Sequence, residues 1–337
     1  MRKVENPPNP YESVYREFLE DPADIKLEVF EEEAKSILSE NKSPDLSFRW
    51  SINPYRGCFH ACSYCYARPT HEYLGFGAGT DFESKIVVKT NAPELLRQSF
   101  EKPRWKGELI VFSGDTDCYQ PLEAHYELTK KCFEACLEYR NPVSIITKSP
   151  LIIRDKELLA ELNRQAYVHV TASIAFSDDA MARKVEPQAP LPSRRFQMIK
   201  ELTQAGIPIG VLIAPVIPGL NDDQVVRILR QARNAGATSA GMVPLRLPGS
   251  VQFVFLTRMR KEFPDRVKKI ENFIRESKGG NLNNSQFFKR YEGQGNYWQA
   301  IEQLFAIETK NLGFNHADTP TPNTFQRPTE LPLRLIK

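Results

Sequence analysis

Three of the six cysteines lie close together, in the segment PYRGCFHACSYCYARP. Cys58, Cys62 and Cys65 follow the spacing C-x3-C-x2-C, and three thiolates so close in sequence can bind one soft metal centre. Structural zinc takes four ligands, and His60 or His71 could supply the fourth. A [4Fe–4S] cluster usually takes four cysteines, so three would leave one iron open to a small molecule. The segment therefore predicts a metal centre, with a cluster and zinc as the alternatives.

Short runs of apolar and β-branched residues, each as long as a buried strand, would position this segment. They cover residues 51–55, 109–112, 143–147, 168–174, 209–214 and 240–243. Amphipathic helical stretches lie between or after them, at residues 122–139, 155–163, 193–205, 222–235 and 265–278. This alternation, with continuously apolar strands, predicts an α/β fold in which helices cover a parallel sheet. Six strands suit an open or closed β/α barrel better than two domains.

Barrels of this kind place their chemistry on the loops that follow the carboxyl ends of the strands. The informative loops are therefore those after Tyr55, Phe112, Thr147, Ser173 and Ala214. The first of these loops contains the three cysteines. We expect the polar residues of the other loops to face the same metal centre.

The composition excludes several classes of protein. Of 337 residues, 41% are hydrophobic and 26% are charged, which is ordinary for a globular protein and argues against bulk disorder or a coiled coil. The longest apolar run, residues 211–217, is much shorter than a bilayer span. We also find no pattern typical of a signal peptide, so the expected location is the cytoplasm, without membrane attachment.

The net charge of +3 is unevenly distributed, because residues 1–46 carry twelve acidic and six basic side chains. We expect residues 1–46 to form an acidic, partly flexible leader with one helix at 22–38, and residues 39–47 to form a linker. The expected core covers residues 47–313 and includes a helical C-terminal extension. A tail at 314–337 would follow it.

The cysteine spacing, with Tyr64 directly before the last cysteine, resembles the signature of radical S-adenosylmethionine (radical SAM) enzymes. The segments SINPYRGC and GIPIGVLIAPVIPGLND are similar to the branch that contains spore photoproduct lyase and its short relatives, often described as DNA repair photolyases. The similarity runs through most of the chain, from about residue 47 to residue 313. The expected fold is a partial (β/α)6 TIM-like barrel with parallel strands, a polar N-terminal leader and a C-terminal helical cap.

The resemblance also implies the chemistry. In this superfamily three cysteines hold a [4Fe–4S] cluster, and S-adenosylmethionine binds its open iron. An electron cleaves the cofactor and yields a 5′-deoxyadenosyl radical, which abstracts hydrogen from a substrate. A reducing protein such as flavodoxin or ferredoxin would supply the electron, and the branch suggests a nucleic-acid lesion as substrate. A zinc-binding nucleic-acid module and a cluster-binding scaffold without catalysis stay open as alternatives.

The resemblance places the cofactor contacts on the loops after the strands. Ser113, Gly114 and Asp115 stand where relatives carry a Gly-Gly-Glu stretch that holds the cofactor ammonium; the second glycine and the glutamate are absent, and Asp117 is an alternative acid. The other expected contacts are Tyr64, Thr147, Lys148, Ser173, Arg195 and Pro215. Of these, the guanidinium of Arg195 suits the cofactor carboxylate, and the hydroxyl of Ser173 suits the ribose. Turn formation is the structural alternative for Gly114 and Ser173.

Tyr66 and Cys118 are the residues expected to take part in hydrogen transfer. Tyr66 follows Cys65, as a tyrosine does in spore photoproduct lyase, and Cys118 could serve as a hydrogen donor, although the lyase cysteine aligns nearer to Gly114. A buried structural thiol is the alternative for Cys118. The remaining two, Cys132 and Cys136, are expected in the core. Residues 281–312 would cap the barrel as a helix or contact nucleic acid through basic and aromatic side chains, which are Lys289, Arg290, Tyr291, Tyr297 and Trp298.

Overall fold

The structure is a computed structural model, and it describes residues 2–4, 27–314 and 322–328. The strands are β1 (Arg2–Val4), β2 (Glu28–Glu32), β3 (Leu38–Glu40), β4 (Trp50–Ile52), β5 (Tyr55–Arg56), β6 (Lys85–Lys89), β7 (Ile110–Phe112), β8 (Val143–Thr147), β9 (Val168–Ser173), β10 (Ile209–Val216) and β11 (Ser239–Pro244). The helices are α1 (Thr80–Ser84), α2 (Ala92–Glu101), α3 (Glu123–Tyr126), α4 (Leu128–Glu138), α5 (Lys156–Gln165), α6 (Asp179–Val185), α7 (Pro192–Gln204), α8 (Val225–Ala235), α9 (Val251–Glu262), α10 (Val267–Ser277) and α11 (Gly295–Asn311). Short 3₁₀ helices cover Arg68–Leu74, Pro150–Asp155 and Asp222–Gln224.

The larger sheet has the order β11-β10-β9-β8-β7-β4-β3. Six of its strands, from β4 to β11 along this sheet, are parallel and follow one another in chain order, whereas β3 pairs antiparallel with β4 at the edge. This arrangement confirms the predicted α/β fold with a parallel sheet, of the partial TIM-like kind. All six predicted strands are present within a few residues of their expected positions.

The main core lies between this sheet and its helices because the strands and the helices both present apolar faces there. Val168, Val170 and Ala172 of β9 are fully buried, as are Ile199 and Leu202 of α7. Helix α11 adds Trp298 and Ile301 to the same core and packs against α8 and α10. The expected helical extension is therefore present.

The helix predicted at 22–38 is wrong for the described part of that range. A smaller sheet with the order β1-β2-β6-β5 contains residues 28–32 instead. Residues 28–32 and 38–40 are strands, while residues 22–26 lie outside the described residues. Tertiary packing outweighs helix propensity here, since Val29 is fully buried against Tyr55 and Ile86. This sheet fixes the position of β5, which comes directly before Gly57 and Cys58.

The helix predicted at 122–139 is two helices, α3 and α4, separated at Glu127 with φ 52°. The carboxylate of Glu123 explains the interruption. It accepts hydrogen bonds from the backbone N–H groups of Thr129 (2.9 Å) and Lys130 (3.2 Å), at the start of α4. No described helix is long and apolar enough to cross a membrane.

Candidate active site

A cavity of about 330 Å³ lies at the carboxyl ends of the parallel strands. Residues from the ends of β7, β8, β9, β10 and β11 line it, together with the cysteine segment. Most of the expected site residues meet here, and the lining includes Cys58, Cys62, Tyr64, Cys65, Tyr66, Ser113, Gly114, Asp115, Thr147, Lys148, Ser173 and Pro215. The cysteine segment and the polar strand ends therefore face the same space.

Backbone conformation turns the cysteine segment towards the cavity. Gly57 has φ +77°, and a Cβ atom there would lie 2.9 Å from Ile86 Cδ1, so only glycine fits before Cys58. Ala61, between the first two cysteines, also has a positive φ of 57°. With this backbone conformation, all three cysteines line the cavity.

Arg68 stabilises this conformation, and we did not predict its role from the sequence. Its fully buried guanidinium donates hydrogen bonds to the carbonyl oxygens of Ala61 (3.2 Å) and Cys62 (2.9 Å) and pairs with Glu83. Further bonds reach the carbonyls of Ala78 and Gly79 at 2.9 Å. Because these carbonyls are satisfied inside the protein, the segment keeps its shape without hydration.

The chemistry of the three thiols fits a metal cluster. Burial raises the pKa of Cys62 to about 12 and that of Cys58 well above its usual range, so the sulfurs need a cationic partner to ionise. Among the described residues, no three His, Cys, Asp or Glu side chains form a site for a single metal ion. Of the two histidines considered as zinc ligands, His71 is fully buried against Phe82 and does not line the cavity. His60 lines it but has its Nδ1 atom 3.4 Å from Asp117.

The loop after β7 places a carboxylate beside the cavity. Ser113 adopts the left-handed region, with φ 68°, which is the conformation that glycine favours at this position. At Gly114 a Cβ atom would lie 2.9 Å from that of Ser51, so a side chain would clash. Burial raises the pKa of Asp115 to about 6, although a hydrogen bond from Thr70 at 3.2 Å opposes the shift. This geometry is compatible with the expected ammonium contact.

Asp117 lines the cavity and also binds residues at the end of β8. Its two carboxylate oxygens accept hydrogen bonds from Thr147 Oγ1 (2.7 Å) and the Lys148 N–H (2.8 Å). The Lys148 ammonium in turn donates to Ser173 Oγ at 3.1 Å. Although burial opposes it, the nearby Cys62 sulfur and Glu186 carboxylate raise the pKa of Lys148. Lys148 therefore stays cationic inside the cavity.

Arg195 does not line the cavity. The fully buried guanidinium donates to the carbonyl oxygens of Pro190 (2.7 Å) and Ser173 (3.0 Å) and pairs with Glu186, which also accepts a hydrogen bond from Tyr64. Its expected contact with a cofactor carboxylate stays a prediction, and the role that the structure shows is to position Tyr64 through Glu186.

The two residues expected in hydrogen transfer lie in different surroundings. Tyr66 is 47% exposed at the cavity, and its hydroxyl donates to the carbonyl oxygen of Gly114 at 2.7 Å. Cys118 is fully buried in the main core near Phe133, and it does not line the cavity. This burial fits the structural thiol considered as the alternative, and the role of Cys118 as a hydrogen donor stays a prediction. Cys132 and Cys136 lie in the core, as predicted.

Asn221 explains part of the APVIPGLND motif. Its side-chain amide donates to the carbonyl oxygens of Ala175 (2.6 Å) and Pro215 (3.0 Å), and its carbonyl oxygen accepts from the Ile217 N–H at 2.6 Å. These bonds hold the loop after β10 against the loop after β9. Pro215 thereby forms a fixed part of the cavity wall.

Arg246 is a cavity residue that we did not predict from the sequence. It lies two residues beyond β11, and its guanidinium lies over the rings of Tyr66 and Tyr291 at 5.9 and 4.6 Å. In this kind of fold, functional residues lie on the loops after the strands. We applied this rule to the first five predicted strands; applied to the sixth, it would have indicated Arg246.

Comparison with known proteins identifies the family. The family model described as the radical SAM superfamily matches residues 52–232, which is more than half of the chain. An uncharacterised protein of Mycobacterium tuberculosis is 39% identical over 240 residues, which cover 70% of this chain and 71% of the relative. The chain therefore belongs to the radical SAM superfamily, and it is an enzyme of that class.

Two further matches concern proteins with described activities. The radical SAM Nα-GlyT isomerase of Pseudomonas phage M6 is 26% identical over 231 residues, which cover 67% of this chain and 46% of the isomerase. A spore photoproduct lyase complexed with dinucleoside spore photoproduct superposes with a TM-score of 0.62 at 14% identity, covering 85% of this chain and 80% of the lyase. A mutant of that lyase with bound S-adenosylmethionine gives 0.59 over the same shares. At this identity the likeness shows the fold alone.

Proposed function

We propose that Cys58, Cys62 and Cys65 hold a [4Fe–4S] cluster and that S-adenosylmethionine binds in the cavity beside it. The observation that carries this proposal is the position of the three thiols, which line the same cavity as the polar ends of β7, β8 and β9. When bound, the cluster and cofactor would supply a 5′-deoxyadenosyl radical that abstracts hydrogen from the substrate. The protein would supply binding, orientation and protection from water.

The residues around the cavity have distinct proposed tasks. The Asp115 carboxylate would accept a hydrogen bond from the cofactor ammonium. The cationic Lys148 and the Ser173 hydroxyl would bind the carboxylate or the ribose of the cofactor. Tyr64, held by its bond to Glu186, and Pro215 would enclose the cofactor. Arg195 is a positioning residue in this proposal.

We further propose a nucleic-acid substrate. The support is the fold shared with a lyase complexed with a dinucleoside, together with aromatic and basic side chains at the cavity. Tyr66, half-exposed beside Cys65, is the residue we place nearest to the substrate. Flavodoxin or ferredoxin as the electron donor rests on the resemblance to the superfamily, and the cytoplasm stays the proposed compartment.

The experiment uses protein reconstituted anaerobically with iron and sulfide. After reduction with dithionite in the presence of S-adenosylmethionine, chromatography should detect 5′-deoxyadenosine. The wild-type chain and a Cys132→Ala variant should both contain about four irons per chain. A Cys62→Ala variant should lose most of this iron and release no 5′-deoxyadenosine, because Cys62 lines the cavity and Cys132 lies in the core.

Three results would contradict the proposal. Equal iron content in the two variants would exclude the proposed ligands. Colourless protein with a single bound zinc would favour the zinc-binding module. An intact cluster that releases no 5′-deoxyadenosine would favour a scaffold without catalysis.

A further inference from the structure

Arg246 lines the cavity, and its guanidinium is not paired with an anion in the described part of the chain. Its Nε atom is buried and has no hydrogen-bond partner within the described part of the chain, and no carboxylate there forms a salt bridge with its guanidinium. The rings of Tyr66 and Tyr291 lie over the guanidinium plane. A guanidinium is a cation whose N–H groups can donate two parallel hydrogen bonds to a phosphate.

Arg246 belongs to a row of five side chains, which we call the stacking row: Phe287, Arg290, Tyr291, Arg246 and Tyr66. Aromatic rings and guanidinium groups alternate along it, and each neighbouring pair is 4.6–5.9 Å apart. Phe287, at the outer end, is 53% exposed, and Tyr66, at the inner end, follows Cys65. The row therefore leads from the protein surface to the cysteine segment.

The two guanidinium groups of the stacking row differ in charge compensation. Asp45 accepts a hydrogen bond from Arg290 Nε at 2.7 Å and pairs with its Nη2 atom at 2.5 Å, which fixes the outer part of the row. Lys278 donates to the carbonyl oxygens of Arg290 (3.3 Å) and Glu292 (2.8 Å) and supports the same segment from below. Arg246 is thus the cation of the row that is left to bind an anion.

We propose that the stacking row binds a single strand of nucleic acid and that Arg246 contacts the phosphate beside the nucleotide that enters the cavity. This inference rests on the proposed function and extends it to the form of the substrate. Alternating rings and cations match the alternating bases and phosphates of a strand. The cavity is too small for a duplex, so the reacting nucleotide must enter it unpaired, from a single strand or flipped out of a duplex.

The test measures binding of a fluorescein-labelled ten-nucleotide oligodeoxythymidylate by fluorescence anisotropy. The reconstituted enzyme with S-adenosylmethionine is titrated at several salt concentrations. Arg246→Gln should weaken binding roughly tenfold and reduce the slope of log affinity against log salt by about 0.7, since one phosphate contact is lost. Phe287→Ala should also weaken binding roughly tenfold but leave the slope unchanged, because it removes stacking alone.

Matched controls separate this inference from its alternatives. Arg164→Gln removes an exposed guanidinium on α5, at the opposite end of the strands, and should change neither affinity nor slope. A methylphosphonate oligomer, which has no backbone charge, should bind weakly to all variants. If an equal concentration of inorganic phosphate displaces the oligomer, the site binds free phosphate, and the proposed binding of a single strand is wrong.

Two more outcomes would overturn the inference. The first is equal affinity and equal slope for Arg246→Gln and the wild type, with equal iron content in both proteins. The second is a wild-type enzyme that releases 5′-deoxyadenosine but does not bind the oligomer. Loss of the cluster in the wild type would instead contradict the proposed function, so the two failures can be told apart.

Discussion

Asp115 is the residue whose ionisation most directly controls the proposed cofactor site. It stands at the third position of a stretch that matches the expected Gly-Gly-Glu in position only, and the left-handed conformation of Ser113 is one that glycine favours. Its carboxylate has a shorter side chain than glutamate, but burial brings its pKa close to neutrality. Cofactor binding should therefore respond to pH.

Lowering the pH through about 6 should weaken S-adenosylmethionine binding, by up to tenfold per pH unit, since the neutral acid no longer attracts the ammonium. Equilibrium dialysis of reconstituted protein between pH 5 and 7.5, with iron content checked at each pH, measures the effect. Asp115→Asn should bind about tenfold more weakly at pH 7.5 and show little pH dependence. The same pH dependence in this variant would assign the effect to another group.

At the scale of elements, a buried polar network joins α3, α4 and the 3₁₀ helix Pro150–Asp155 to β5. Arg154 donates hydrogen bonds to Glu123 (2.9 Å) and Asp155 (2.8 Å), whose side chains have no exposed surface, and Tyr55 donates to Glu123. Since β5 directly precedes Gly57 and Cys58, this network stabilises the element that positions the proposed cluster ligands.

Replacing Arg154 with Met should lower the free energy of unfolding by about 3–5 kcal/mol, because two buried carboxylates lose their cation. Urea denaturation followed by circular dichroism measures this change. Arg164→Met is the matched control, since Arg164 pairs with Glu161 on the exposed face of α5 and should lose less than about 1 kcal/mol. Similar losses in both variants would mean that the buried network adds no special stability.

At the scale of the whole molecule, residues 322–328 return to the outside of α2 and α4. The Phe325 ring stacks on Tyr139 with centroids 6.2 Å apart, and Gln326 donates its N–H to the Tyr139 carbonyl oxygen at 2.9 Å. Gly107 permits this contact, because a Cβ atom there would lie 2.1 Å from that of Phe325. This part of the predicted tail thus packs against the main core.

Phe325→Ala should lower the free energy of unfolding by about 2 kcal/mol through lost apolar burial. Thermal and urea unfolding of the full chain provide the measurement. Phe253→Ala, which removes a ring that is 74% exposed, should change stability by less than about 0.5 kcal/mol. If the two variants are equally stable, residues 322–328 do not contribute to the stability of the fold.

The sequence predicted the parallel strands well because buried β-branched runs are a local signal. The grouping of Cys58, Cys62 and Cys65 was equally predictable from the sequence, since their spacing alone brings them together. The strand at 28–32 was not, because its pairing with β6 depends on residues far away in sequence. The role of Arg68 was not predictable either, because it depends on how the local backbone folds around its guanidinium, whereas Arg246 follows the sixth predicted strand and could have been indicated from the sequence.

The most direct test of the central claim is electron paramagnetic resonance of the reduced, reconstituted protein with and without S-adenosylmethionine. Three cysteine ligands leave one iron open, so the account predicts a [4Fe–4S]⁺ signal whose g-values shift when the cofactor is added. Cys62→Ala should lack the signal, and Cys132→Ala should retain both the signal and the shift. A cluster signal that the cofactor leaves unchanged would show that no iron is open to it, and would contradict the account.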